Sequence, residues 1–129
     1  MPFEKRVPGV GKKKTEELWF LEGLYPDIAQ AMRVSSFLVK NHQTKFQLAS
    51  IFDTSRCGRV LALDDIVQAT TSDWRVYAEA MINFAVHSHK GDKLSVLVVG
   101  CGDGGITRLL LEHQCVAWVD MVEIDEDKL

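Results

Sequence analysis

The sequence lacks the material for a disulfide framework or a zinc finger. Its three cysteines, Cys57, Cys101 and Cys115, form an odd set with no C-x-x-C pair and no histidine at finger spacing. Such usage fits a reducing compartment and a cytoplasmic protein. Also missing is any run of the roughly 18 apolar residues that a membrane span requires. The longest apolar stretch near the start, Leu18 to Leu21, is too short for a signal-peptide core. Positive charge is not in excess either: 15 Lys and Arg face 18 Asp and Glu, a net charge of −3. Without a global positive field, neither nucleic acid nor an anionic membrane is expected as a partner, which leaves a small molecule or another protein. What remains is an ordinary globular composition, 47% hydrophobic and 26% charged over 129 residues, enough for one domain or one and a half small ones.

Along the chain, residues 1–17 carry Pro2, Pro8, Gly9, Gly11 and Lys12-Lys13-Lys14, too little apolar surface to offset ordering entropy, and are read as a flexible tail. Residues 18–72 are read as a β-strand domain with four strands, Ala31 to Val39, Lys45 to Phe52, Arg59 to Leu63 and Ile66 to Thr70. Turns are expected at Lys40 to Thr44, Asp53 to Gly58 and Asp64-Asp65. Thr71, Ser72 or Asp73 can cap a helix in which Trp74, Tyr77, Ala78, Met81, Ile82 and Ala85 recur at helical spacing through about His87. Residues 73–129 then continue with a buried strand, Leu94 to Val99, a helix from about Gly104 to His113, and a second apolar segment, Val116 to Ile124. The predicted class is α/β: a small N-terminal antiparallel sheet followed by a strand-helix-strand unit with parallel strands. An open parallel sheet normally has more strands, so the domain is expected to be truncated or completed by something else.

Chemistry concentrates at Gly100-Cys101-Gly102-Asp103-Gly104-Gly105, which follows the buried strand and opens the helix. Glycine lets the backbone take positive φ and approach a ligand closely. By spacing, the loop fits both the G-x-G-x-x-G of dinucleotide enzymes and the looser G-x-G-x-G of enzymes that bind adenosyl-sulfonium donors. Asp103 discriminates on charge, because a carboxylate there repels a pyrophosphate and attracts an ammonium or sulfonium. Its plainer role is that of a helix cap. Glu123, about 20 residues beyond the loop, can accept both hydroxyls of a ribose. Asp125, Glu126 and Asp127 are read as solvated helix-start residues, and His87 and His89 as surface groups at a helix end. His42 and His113 have no partners at ligand spacing, so no metal site is expected. Trp74, Tyr77 and Met81 form a helical stripe of core character, with the Tyr77 hydroxyl a candidate contact.

With the glycine loop, Glu123-Ile124-Asp125 and the hairpin Val60 to Gln68 in order, the sequence resembles the polyamine aminopropyltransferases, the spermidine and spermine synthases, from about Trp19 onward. Further marks are Trp19-Phe20 with Glu22, Phe46-Gln47, Gly58-Arg59-Val60-Leu61, Asp73, Tyr77 with Glu79, and Ser88-His89. The resemblance implies a β-strand domain used to form a homo-oligomer, dimer or tetramer, ahead of a Rossmann-like domain. It also implies transfer of an aminopropyl group from the co-substrate decarboxylated S-adenosylmethionine to putrescine or a related amine, with no further cofactor. Donor-binding residues would be Gln68, Gly100, Gly102, Asp103, Gly104, Gly105 and Glu123, with Tyr77 bordering the amine acceptor. The catalytic aspartate of the family stands downstream of the ribose-binding glutamate, so no catalytic residue is expected within this chain. The chain departs from the pattern at Trp74, Arg75 and Ala78, where many spermidine synthases have an acidic residue, an aromatic, and Gln or His. Competing readings are an S-adenosylmethionine-dependent methyltransferase and a catalytically inactive paralogue that pairs with an active partner.

Overall fold

The structure, a computed structural model, describes residues 3–4 and 17–128. It divides into two compact units, residues 1–72 and 73–129.

In the first unit six strands follow one another in an antiparallel sheet ordered as in the sequence: β1 (Phe3–Glu4), β2 (Leu18–Tyr25), β3 (Ile28–Gln43), β4 (Leu48–Thr54), β5 (Gly58–Leu63) and β6 (Ile66–Thr70). Residues alternate between the two faces of a strand. Ser50, Phe52 and Thr54 of β4, with Val60 and Ala62 of β5, accordingly point inward while their neighbours do not. Phe20, Phe52, Val60 and Ala62 form the buried core, and Phe3 packs edge-on against Phe20 with ring centroids 5.3 Å apart. Glu22 of β2 is buried; it accepts a hydrogen bond from Gln30 Nε2 on β3 and, at 3.2 Å, from the backbone N–H of Val67 on β6. Its two oxygens thus join an early strand to the last one.

Three readings of this unit need correction. The tail expected over residues 1–17 contains β1, since Phe3 and Glu4 pair with Phe20 and Trp19. Its lysine run lies outside the described residues. Strand β2 was not expected; it pairs with β1 and, from Tyr25↔Ile28 to Leu18↔Val34, with β3. The turn placed at Lys40 to Thr44 falls instead after Gln43, where Thr44 Oγ1 accepts the N–H groups of Phe46 and Gln47 at 3.1 Å each. Asn41 takes a positive φ of 51° within β3, and its N–H is held by Ser50 Oγ at 3.0 Å, so the strand runs through the irregularity. At the β5–β6 hairpin, Asp64 and Asp65 have φ of 48° and 64°, the two left-handed residues of a type I′ turn. Asp64 Oδ1 secures this corner by accepting the Leu48 N–H at 2.8 Å.

The second unit holds α1 (Trp74–Ser88), β7 (Leu94–Val99), α2 (Gly105–Leu110), β8 (Val116–Val122) and a 3₁₀ turn, Glu126–Lys128. Strands β7 and β8 pair in parallel, from Leu94↔Val116 to Val99↔Val122, as strand-helix-strand connectivity requires. Ala78, Ile82 and Val86 of α1 meet Val98, Cys101, Leu109 and Leu110 in one core. Leu97, Val99, Trp118 and Val122 are exposed apolar residues of the two strands. Helix α2 is shorter than expected: Glu112 and His113 donate to the carbonyls three residues back, Leu109 and Leu110, which tightens and ends it. Among the described residues no helix is long and apolar enough to cross a membrane.

Arg75 ties the two helical segments. It contacts Glu79 one turn on at 3.0 Å and reaches Glu112 after α2 with two nitrogens, at 2.8 and 3.4 Å. Hydrogen bonding to Arg75, opposed in part by desolvation and aided by its charge, holds the Glu112 carboxyl below the usual carboxylate range. A carboxyl whose folded pKa is depressed contributes stability that is fully present above the unfolded value and is lost as pH falls through the folded one. Carboxyl NMR titration is therefore expected to show Glu112 protonating at lower pH than free glutamate in the native chain, and moving back up in Arg75→Ala; an unchanged midpoint in the variant would contradict the assignment.

Candidate functional site

The glycine loop connects β7 to α2, and its backbone shape is one that side-chain-bearing residues resist. Gly100, Gly102 and Gly104 have φ of 75°, 49° and 73°. A left-handed residue other than glycine costs about 1–2 kcal/mol, so three such positions in five residues call for glycine. The Gly100 N–H donates to Val122 O at 2.8 Å, which anchors the loop's first residue to the end of β8. Cys101 turns into the core and is buried.

Glu123 follows β8 directly. Its Oε2 accepts the Gly102 N–H at 3.0 Å, and its Oε1 accepts the N–H groups of Ile124 at 2.9 Å and Asp125 at 3.1 Å. Charge-assisted hydrogen bonds of this kind are roughly twice as strong as neutral ones, so the carboxylate joins the glycine loop to the chain leaving β8. Asp103 is exposed, and its Oδ1 accepts the Gly105 N–H at 3.0 Å in an Asx-type turn. The N-cap of α2 is Gly104, not Asp103.

Against Asp103 lies a cavity of about 210 Å³ lined by Trp74, Asp103, Gly104, Gly105 and Arg108. The Arg108 guanidinium carbon stands 5.3 Å from the centroid of the Trp74 ring, within cation–π range. The fit at Gly105 is close: a Cβ there would fall 3.1 Å from Trp74 Cε3 and 3.2 Å from Asp103 Oδ1. Among the described residues, Asp103 is the only carboxylate lining this cavity. It can attract a cation, and Glu123 next to the same loop offers a carboxylate to hydroxyl donors.

The structure brings Gly100, Gly102, Asp103, Gly104, Gly105 and Glu123 together in the second unit. Tyr77 is on α1 and 63% exposed, available to a ligand rather than committed to the core. Gln68 is exposed on β6 of the first unit, its Nε2 donating to Ile66 O at 3.4 Å. Asp125 corrects the reading of a solvated run: it is 1% exposed, and its Oδ1 accepts the Asp127 N–H at 3.3 Å at the start of the 3₁₀ turn. The association of Trp74 and Arg108 with Asp103 was missed, since it links two helices 34 positions apart (108 − 74) and no local pattern announces it. Among the described residues no three His, Cys, Asp or Glu side chains group as metal ligands. His87 Nδ1 lies 2.8 Å from Asn83 O and His89 Nε2 3.0 Å from Lys93 O.

Two family models match the chain: the spermidine synthase tetramerisation domain over residues 18–71 and the spermine/spermidine synthase domain over residues 74–129. A polyamine aminopropyltransferase of Ruegeria sp. (strain TM1040) is 41% identical over 111 residues, which cover 86% of this chain and 38% of the relative. A spermidine synthase of Schizosaccharomyces pombe is 37% identical over 111 residues, 84% of this chain and 37% of the relative. The chain thus spans well under half the length of these curated relatives. Among solved structures, spermidine synthase from Thermotoga maritima superposes with a TM-score of 0.75 at 30% identity, over 84% of this chain and 38% of that one. A spermidine synthase in complex with the transition state analogue AdoDATO gives 0.76 at 30% identity, over 84% and 36%.

The strained backbone yields a direct test. Gly104→Ala is expected to lower the unfolding free energy of the second unit by about 1–2 kcal/mol in urea denaturation, with Gly104→Asn losing less because asparagine tolerates the left-handed region. Equal stability of Gly104→Ala and the native chain would show that this backbone conformation is not held.

Proposed function

Because the chain belongs to the polyamine aminopropyltransferase family, we propose that its glycine loop, Asp103 and Glu123 form the donor site for decarboxylated S-adenosylmethionine. The observation that supports this reading is the placing of two carboxylates against one loop. Asp103 accepts Gly105 N–H and Glu123 accepts Gly102 N–H, each at 3.0 Å. The donor is cationic at its aminopropyl and sulfonium end and carries a ribose diol further along, so Asp103 meets the first and Glu123 the second. Tyr77, on α1 of the same unit, borders the amine acceptor.

The reaction is a displacement at carbon. An amine nitrogen of putrescine or a related polyamine forms a bond to the aminopropyl carbon attached to sulfur, the carbon–sulfur bond at that carbon breaks, and its electron pair stays on sulfur in methylthioadenosine. The work of the protein is to align the two partners and to take a proton from the acceptor's ammonium, which frees the lone pair that attacks. The residues here supply alignment and charge; the aspartate that the family resemblance implies as proton acceptor lies downstream of Glu123. The sheet unit, with exposed Leu24, Tyr25 and Ile28, would pair copies of the chain in an oligomer, and a light-scattering mass of a single chain would contradict that part.

Binding to the 129-residue chain separates the donor readings. Calorimetry is expected to show decarboxylated S-adenosylmethionine binding ~10-fold or more tightly than S-adenosylmethionine, with no detectable NAD, since Asp103 repels the extra carboxylate. Asp103→Asn is expected to erase most of the preference. Tighter binding of intact S-adenosylmethionine would favour the methyltransferase reading instead.

A further inference from the structure

Resting on the donor site just described, we propose that Trp74 is a positioning residue that fixes the Asp103 carboxylate against its cationic ligand. Three of the loop's glycines, Gly100, Gly102 and Gly104, have positive φ, and glycine is the residue with the most backbone freedom. Asp103 itself is exposed and held on one oxygen by a single backbone donor, Gly105 N–H, at 3.0 Å. A segment so built needs a rigid body beside it if its charge is to stand in one place.

Trp74 is that body. As the first residue of α1 it is partly buried against the core of the second unit. Its ring and the Asp103 carboxylate approach Gly105 together, at 3.1 Å and 3.2 Å from where a Cβ would stand. The indole therefore backs the residue whose N–H holds Asp103. Arg108, one turn into α2, lies over the ring at 5.3 Å, so the indole is gripped by the helix that the loop leads into. Indole, loop and guanidinium close around the same cavity of about 210 Å³.

Charge gives this arrangement a second consequence. An acidic side chain in the place of Trp74 would hold Arg108 by ion pairing and add a second negative charge to the cavity. Indole holds Arg108 by stacking, which leaves Asp103 as the only carboxylate among the lining residues. Recognition of the ligand's cation then depends on where that one group stands.

The test has one arm with ligand and one without, both on the full chain. With ligand, the affinity ratio of decarboxylated S-adenosylmethionine, which is cationic, to methylthioadenosine, a neutral nucleoside, is measured by calorimetry. Trp74→Ala is expected to cut that ratio ~5-fold or more while methylthioadenosine binds within ~2-fold of native, and Trp74→Phe to recover most of it. Gly105→Ala, whose Cβ presses on both ring and carboxylate, is expected to cut the ratio as well, and serves if Trp74→Ala does not fold. Without ligand, the ¹⁵N order parameters of Asp103 and Gly105 are expected to fall from about 0.85 toward 0.6 in Trp74→Ala. Unchanged order parameters in Trp74→Ala, or in Gly105→Ala if the first variant unfolds, would overturn the positioning role. So would an unchanged ratio in a native chain that does discriminate. If the native chain binds neither nucleoside, it is the donor-site reading that fails, and the order parameters still decide the role of Trp74.

Discussion

The hydrogen bonds that converge on Glu123 hold the second unit's working end together. Parallel strands β7 and β8 set the ends of two chain segments side by side, at Val99 and Val122. What leaves those ends must still be fixed. Glu123 does this by accepting the Gly102 N–H from one segment and its own neighbours' N–H groups from the other. Asp103 is then carried on a loop whose far side is tied to a strand and whose near side is backed by Trp74. The site thus follows from the sheet: parallel pairing brings the loop and Glu123 together, and hydrogen bonding turns proximity into geometry.

The first unit relies on a similar device. Glu22 is buried in a sheet whose core cluster is aromatic and aliphatic, and it spends its oxygens on β3 and β6. A buried charge is costly unless hydrogen-bonded, and a donor left without it would be costly too. In both units, then, a glutamate joins segments distant in sequence.

Local signals made much of the fold legible. The apolar run Leu94 to Val99 is a strand, although Leu97 and Val99 are exposed where burial was expected; Trp74 through Ser88 is a helix and the Asp64-Asp65 corner a hairpin, as expected. Each depends on residues near one another in the chain. Strand β2, the run of β3 through Asn41, and the burial of Asp125 depend instead on strand pairing, a backbone irregularity or packing that no apolar periodicity marks. The same holds at the site. The glycines and Glu123 could be named from their order after a strand, whereas the grouping of Trp74, Arg108 and Asp103 exists only once α1 and α2 pack.

The family assignment and the geometry meet in one claim, that a carboxylate on a glycine loop selects a cationic nucleoside. The most direct measurement is a crystal structure of the chain with decarboxylated S-adenosylmethionine. The account predicts the ammonium or sulfonium within hydrogen-bond or ion-pair distance of Asp103 and both ribose hydroxyls on Glu123. Density that places the nucleoside elsewhere, or leaves the Asp103 carboxylate facing solvent with the ligand bound, would contradict it.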